Sequence, residues 1–247
     1  MLAFGDSITN GGGELQWGVA LQSWALWVAR ATGMPFTGYA VDGARVGDLV
    51  HRQIPAFDRD DHGRDARYDV GCLYIGVNDV RAVDFDAGAF ERDFATALHH
   101  LTVRCDRTLA LTAPLDLGRP RAGSKVGTLN AVIEQAVAAS AARGALLVDL
   151  SDFGARGHVM VDHVHPTALG QVAIAERALA VLGADGLAAN VAPSSLIHFD
   201  PSRWQRLRGD ATYVYRHGKV SARAAAIRLR ASRPPRSPRA GGGPTSA

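Results

Sequence analysis

With 247 residues, 47% hydrophobic and 21% of them charged, the chain can bury the core of one large domain and still carry an extension. Its formal net charge of +3 hides an asymmetry: from residue 201 onward eleven Lys and Arg face Asp210 alone, whereas the first 200 residues carry sixteen bases and twenty-three acids. An acidic body with a basic tail is not a uniformly basic nucleic-acid-binding domain, two cysteines without C-x-x-C spacing argue against a metal or redox framework, and no apolar run of about 18 residues could span a membrane.

Met1 already lies in the first apolar run with no leader pattern ahead of the first motif, and a soluble, cytoplasmic chain is expected. The run stops at Gly5-Asp6-Ser7 and a glycine loop, Gly11-Gly12-Gly13, follows. Residues 17–32 read as a helix, because Trp17, Leu21, Trp24 and Val28 recur at helical spacing and Gly33 and Pro35 close it. Its tryptophans are expected on a core face. Residues 36–41 form a short second strand, feeding a loop with Gly43 and Gly47 and a short helix to about residue 56. The charged stretch 58–67 reads as a solvated loop.

Residues 68–75 give the clearest strand, an almost continuous apolar run as in a strand buried on both faces. A helix over 86–101 follows, then a strand over 107–112, a helix over 125–143 ended by Gly144, a strand over 145–150 and a helix over 167–182 ended by Gly183. Cys72 and Cys105 fall in strand-like contexts and read as buried thiols; His99 and His100 read as solvated. Strand–helix alternation over the first 182 residues predicts a three-layer α/β/α domain around a doubly wound parallel sheet of about five strands.

In such a sheet the loops after the strands share one edge, where residues distant in sequence converge. Ser7, Gly43, Asn78 and the pair Asp162/His165 all fall in such loops. A serine nucleophile needs a base, and the base needs a carboxylate to fix its tautomer; Asp162 and His165, three positions apart, can supply both. The backbone N–H groups of Ser7 and Gly43 and the side-chain amide of Asn78 are candidate oxyanion donors. Asp6 is expected to hold the loop by hydrogen bonds. Other signatures fail: the G-x-S-x-G elbow breaks at Thr9, the glycine run lacks the spacing of a dinucleotide fingerprint, and Gly218-Lys219 is followed by Val220.

At Gly5-Asp6-Ser7-Ile8, Gly76-Val77-Asn78-Asp79 and Asp162-His163-Val164-His165-Pro166 the sequence resembles the SGNH (GDSL) hydrolase family. The resemblance covers about residues 1–183. It implies a flavodoxin-like sheet, Ser7 as nucleophile, His165 as base, Asp162 as its partner, and Ser7, Gly43 and Asn78 as the oxyanion hole. The family's second block is altered, with Gly38 and Asp42 where an Asn and a small residue are usual. Gly47 is the alternative to Gly43, and the acid at position 42 calls for compensation by Arg45 or Arg81.

The function expected is hydrolysis of a small-molecule carboxylic ester, with short acyl or acetyl groups favoured by the small, polar loop 10–16. No cofactor or metal is expected; His158, His163 and His165 lack a metal-site pattern. An acyltransferase or thioesterase with the same triad, and a non-catalytic module, are the competing readings. The chain divides into a catalytic domain, 1–183, a basic, partly helical extension, 184–232, and a disordered tail, 233–247. The Arg-rich extension could reach nucleic acid or an anionic membrane, but packing against the acidic body is favoured.

Overall fold

A computed structural model describes residues 1–16, 18–60, 66–117, 122–155 and 157–197. The strands β1 (Leu2–Gly5), β2 (Thr37–Gly38), β3 (Tyr68–Tyr74), β4 (Cys105–Leu111) and β5 (Ala145–Val148) form one all-parallel sheet in the order β2-β1-β3-β4-β5. Every residue of β1 and the last five of β3 are buried, which explains their unbroken apolar composition. β2 is shorter than its sequence suggests. As an edge strand it nevertheless keeps parallel hydrogen bonds from Thr37, Tyr39 and Val41 to Met1, Ala3 and Gly5.

Helix α1 (Trp24–Thr32) packs against α7 (Ala168–Ala184) on one face, and α5 (Ala87–Arg104) against α6 (Lys125–Ser140) on the other. Three layers result. α1 starts seven residues later than its apolar stripe predicts. Ser23 caps it, its hydroxyl accepting from Leu26 N–H at 3.0 Å, while Glu14 and Gln16 are drawn into contacts with the start of α7. There Glu14 O accepts from Ala168 N–H and Gln16 Oε1 from Leu169 N–H, both at 2.8 Å. Trp24 and Trp27 are buried in the core; Trp17 lies outside the described residues.

The helical stretch after the Gly43 loop comprises α2 (Val46–Asp48), a π-helical turn (Leu49–Gln53) and α3 (Ile54–Arg59). His100 is not solvated. Its ring packs against Phe4 and Phe57, and burial, with Arg104 beside it, pushes its pKa down to about 4. Cys72 and Cys105 are free thiols in the core. Past α7, the chain returns to α1, where Asn190 N–H donates to Ala31 O at 2.8 Å. The expectations for the basic extension and tail beyond residue 197 lie outside the described residues. Among the described residues no helix is long and apolar enough to cross a membrane.

Candidate active site

The sheet order brings β1 and β3 side by side although β2 lies between them in sequence, and ligands gather at the carboxyl ends of strands at such a switch point. Ser7 follows β1, and Asn78 sits in the short helix α4 (Val77–Arg81) that follows β3. Gly5 ends β1 because only hydrogen fits there: a Cβ would stand 2.5 Å from Tyr74 O across the ladder. Beyond it the chain turns at once, with Asn10 N–H donating to Asp6 O and Gly12 N–H to Ser7 O. The turn leaves Ser7 half-buried, its hydroxyl facing the loop that carries His165.

That loop spans residues 149–167, from edge strand β5 back to the sheet centre. Ser7 Oγ lies 3.0 Å from His165 Nε2, and His165 Nδ1 lies 2.7 Å from Asp162 Oδ2. Asp162 Oδ1 meanwhile accepts from the N–H groups of Val164 and His165, at 2.9 and 3.0 Å, so one carboxylate shapes the turn and orients the ring. Burial favours a neutral Asp162, yet the imidazole and these two N–H groups outweigh it and hold the carboxyl below its ordinary range. The same hydrogen bond raises the pKa of His165 against the opposing effect of burial. Because the carboxylate accepts at Nδ1, that nitrogen carries the ring proton and Nε2 is free to take one from the serine.

Of the predicted oxyanion donors, the backbone N–H groups of Ser7 and Gly43 have no acceptor among the described residues. Gly43 adopts φ +76°, with nothing near the position of a Cβ; its requirement is backbone conformation rather than space. Gly47, by contrast, lies within α2. Asn78 Nδ2 donates to Ala44 O at 3.0 Å, which ties the β3 loop to the Gly43 loop and leaves a second N–H on the amide. Neither Asn78 nor Asp79 caps its own helix: Asp79 is buried and accepts from Val46 N–H with both oxygens. The compensation expected for Asp42 takes another form. Arg45 pairs with Asp84 at 3.2 Å, and Asp42, exposed, accepts from the Asn10 side chain at 2.9 Å.

Three buried amides that sequence reasoning did not single out hold this edge together. Gln171, on α7, accepts from Trp24 N–H and donates to Ile8 O and Gly12 O, at 2.8, 3.0 and 3.0 Å, stapling the Ser7 turn to two helices. Gln53 pairs with both backbone groups of Gly5, and Asn130 with both of Ala113. Gln53 and Asn130 satisfy peptide groups left where a strand ends, and Gln171 those of the turn after β1 and the first N–H of α1. For Gln171 and Asn130 the signal in the sequence is a lone amide among apolar neighbours, such as Gln171 beside Val172.

Asp6 is fully buried; Oδ1 accepts from Ile8 N–H at 2.9 Å, and burial pushes the carboxyl up to about 7. Between pH 4 and 7 the folded chain therefore holds a proton at Asp6 that the unfolded chain has released, so this group costs stability as pH rises through that window. Asp79, raised to about 6, acts with the same sign and His100, lowered to about 4, with the opposite one. The informative quantity is thus a difference. Relative to the native chain, Asp6→Asn is expected to gain stability between pH 4 and 7 by on the order of 4 kcal/mol, measured by denaturant unfolding across that range. Parallel stability curves would exclude the buried ionisation.

The sheet order, and the edge at which hydroxyl, imidazole and carboxylate meet, define a flavodoxin-like three-layer α/β enzyme fold. The chain belongs to the GDSL-like lipase/acylhydrolase family, which it matches over residues 3–173, and it is an SGNH-type carboxylic ester hydrolase. No curated protein matches it. Among solved structures it is similar to a catalytic mutant of Axe2, an acetylxylan esterase from Geobacillus stearothermophilus, with 18% identity over 74% of this chain and 93% of that one and a TM-score of 0.57. It is also similar to LAE5, an alpha/beta hydrolase enzyme from the metagenome of Lake Arreo, Spain, with 21% identity over 74% of this chain and 94% of that one and a TM-score of 0.55.

Proposed function

We propose that the chain hydrolyses short-chain acyl esters, acetyl esters above all, through an acyl-enzyme on Ser7. The observation that carries this reading is the continuous relay from Ser7 Oγ through His165 to Asp162, with links of 3.0 and 2.7 Å. Ser7 Oγ attacks the ester carbonyl while its proton passes to Nε2. The negative charge on the carbonyl oxygen is met by the Ser7 and Gly43 N–H groups and the free N–H of Asn78. As the tetrahedral centre collapses, the bond to the alcohol breaks and His165 returns the proton to the leaving oxygen. Water, deprotonated by the same nitrogen, then cleaves the acyl–Ser7 bond and releases the acid.

The preference for a small acyl group is supported by residues 10–16, mostly small and polar, which follow the Ser7 turn and leave no long apolar wall beside it. A cavity of about 320 Å³ elsewhere is lined by Arg45, Val46, Asp79 and Phe90, not by Ser7 or His165, and its carboxylates suit no fatty chain. The acetylxylan esterase named above, a structural relative, points the same way.

The test is intact mass after treatment with a fluorophosphonate, on the native chain and on Ser7→Ala, with aryl esters from acetyl to octanoyl assayed alongside. One adduct on the native chain, absent from Ser7→Ala, with turnover falling as the acyl chain lengthens, is the expected result. A folded native chain that takes no label would overturn the reading. Asn78→Ala is expected to lower kcat by about 10²–10³-fold with KM little changed, as for loss of one oxyanion donor. Steady-state kinetics on the aryl acetate check it.

A further inference from the structure

His163 is the only non-glycine residue at positive φ among those described, at +56°. It lies inside the turn that builds the relay, between Asp162 and His165. The turn forces this conformation: Met160 N–H donates to His165 O and His163 N–H to Met160 O, while Asp162 Oδ1 gathers the next two N–H groups. A left-handed residue with a side chain costs about 1–2 kcal/mol that glycine would avoid. The side chain at this position is not idle. His163 Nδ1 stands 3.1 Å from Asp116 Oδ2, on the loop after β4, and that loop is fastened to the β5 loop by Leu115 N–H donating to Ser151 O at 3.0 Å.

The loop that carries His165 is long and starts from an edge strand, so its far end needs anchoring near Ser7. On one side Glu14 and Gln16 hold the chain just after it, at Ala168 and Leu169. On the other, the His163–Asp116 contact ties it to the β4 loop. We propose that His163 is a positioning residue, whose side chain, bound to Asp116, fixes the turn that sets His165 against Asp162 and Ser7. The inference rests on the triad reading of those three residues.

Three variants separate backbone from side chain. His163→Gly relieves the left-handed conformation and removes the tether. His163→Asn tolerates that conformation and places an amide N–H the same number of bonds from Cβ as Nδ1, so it restores the tether. Asp116→Ala removes the acceptor. The readouts, on the full chain, are kcat and KM for an aryl acetate, the acid limb of kcat/KM, and the low-field proton resonance of His165 Nδ1–H bonded to Asp162. Thermal unfolding confirms that each variant folds.

In His163→Gly and Asp116→Ala, kcat is expected to fall about 10- to 100-fold with KM unchanged. The acid limb moves to lower pH as the Asp162 bond weakens, and the resonance is lost. His163→Asn stays near native, and the His163→Gly/Asp116→Ala double variant is no worse than either single one. Native kcat and an intact resonance in His163→Gly would overturn the proposal, as would failure of His163→Asn to restore them. If the native chain neither takes the fluorophosphonate nor cleaves esters, the triad reading falls. The resonance, which needs no turnover, still decides whether His163 holds the turn.

Discussion

Ser7→Ala and His165→Ala are each expected to lower kcat for an aryl acetate by about 10⁶-fold, and the double variant no further. On the proposed mechanism the two side chains act as one unit. Without Oγ there is no proton for Nε2 to take and no atom to carry the acyl group; without the imidazole, the hydroxyl stays protonated at neutral pH and attacks poorly. Once either is gone, the other contributes nothing, so the losses do not add. What remains is the rate that bound substrate gains from oxyanion donors alone, about 10³–10⁴ above water. Kinetics on all three variants, with enzyme purity checked by active-site labelling, measure this. Additive losses would mean that Ser7 and His165 serve separate steps, despite the 3.0 Å between them.

Asp162→Asn is expected to cost about 10⁴-fold in kcat, the scale set by the same change in other Ser–His–Asp enzymes. The substituted side chain can keep its oxygen on the Val164 and His165 N–H groups that Asp162 Oδ1 now accepts, so the turn survives. What changes is the group facing Nδ1. An amide NH₂ donates where the carboxylate accepted, Nδ1 gives up its proton, and the ring proton moves to Nε2. Nε2 then points N–H at Ser7 Oγ and can no longer act as its base. The pH profile should shift as well. His165 must be neutral to accept a proton, and the Asp162 bond raises its pKa, so activity is expected to be lost on the acid side at a pH above that of an ordinary histidine. In Asp162→Asn the acid limb of the residual activity moves down. A limb that stays in place would assign it to another group, with Asp79, raised to about 6, the first to examine.

The fold was legible because its strands are buried on both faces. An unbroken apolar run such as residues 70–75 has few other places to go, and glycines and caps punctuate the helices between. Ser7, Asn78, Asp162 and His165 were legible for a related reason: each stands where an apolar run gives way to turn chemistry, and a parallel sheet gathers those points on one edge. Less visible was anything decided by contacts across the chain. The start of α1 depends on residues 14–16 bonding to α7, which no local periodicity records. His99 and His100 look alike in sequence, yet only His100 meets Phe4 and Phe57. The partners of Asp42 and Arg45 were misjudged because both are exposed and choose among several neighbours. Gln171 was overlooked because a single amide on an apolar helix gains meaning only when the backbone groups it serves are known.

The reach of the β5 loop has a consequence for synthesis. Ser7 and His165 are 158 positions apart, and β1 sits inside the sheet, so β1 waits for β2 and β3 to be made before both of its edges are paired. At about 5–20 residues per second, roughly 8–30 s pass between translation of the serine and of the histidine. A nascent chain stalled before residue 165 can hold all five strands and still lack its proposed base, and one stalled before residue 171 lacks the amide that staples the serine turn. The proposed base and the amide that staples the serine turn are therefore the last parts of the site to be translated.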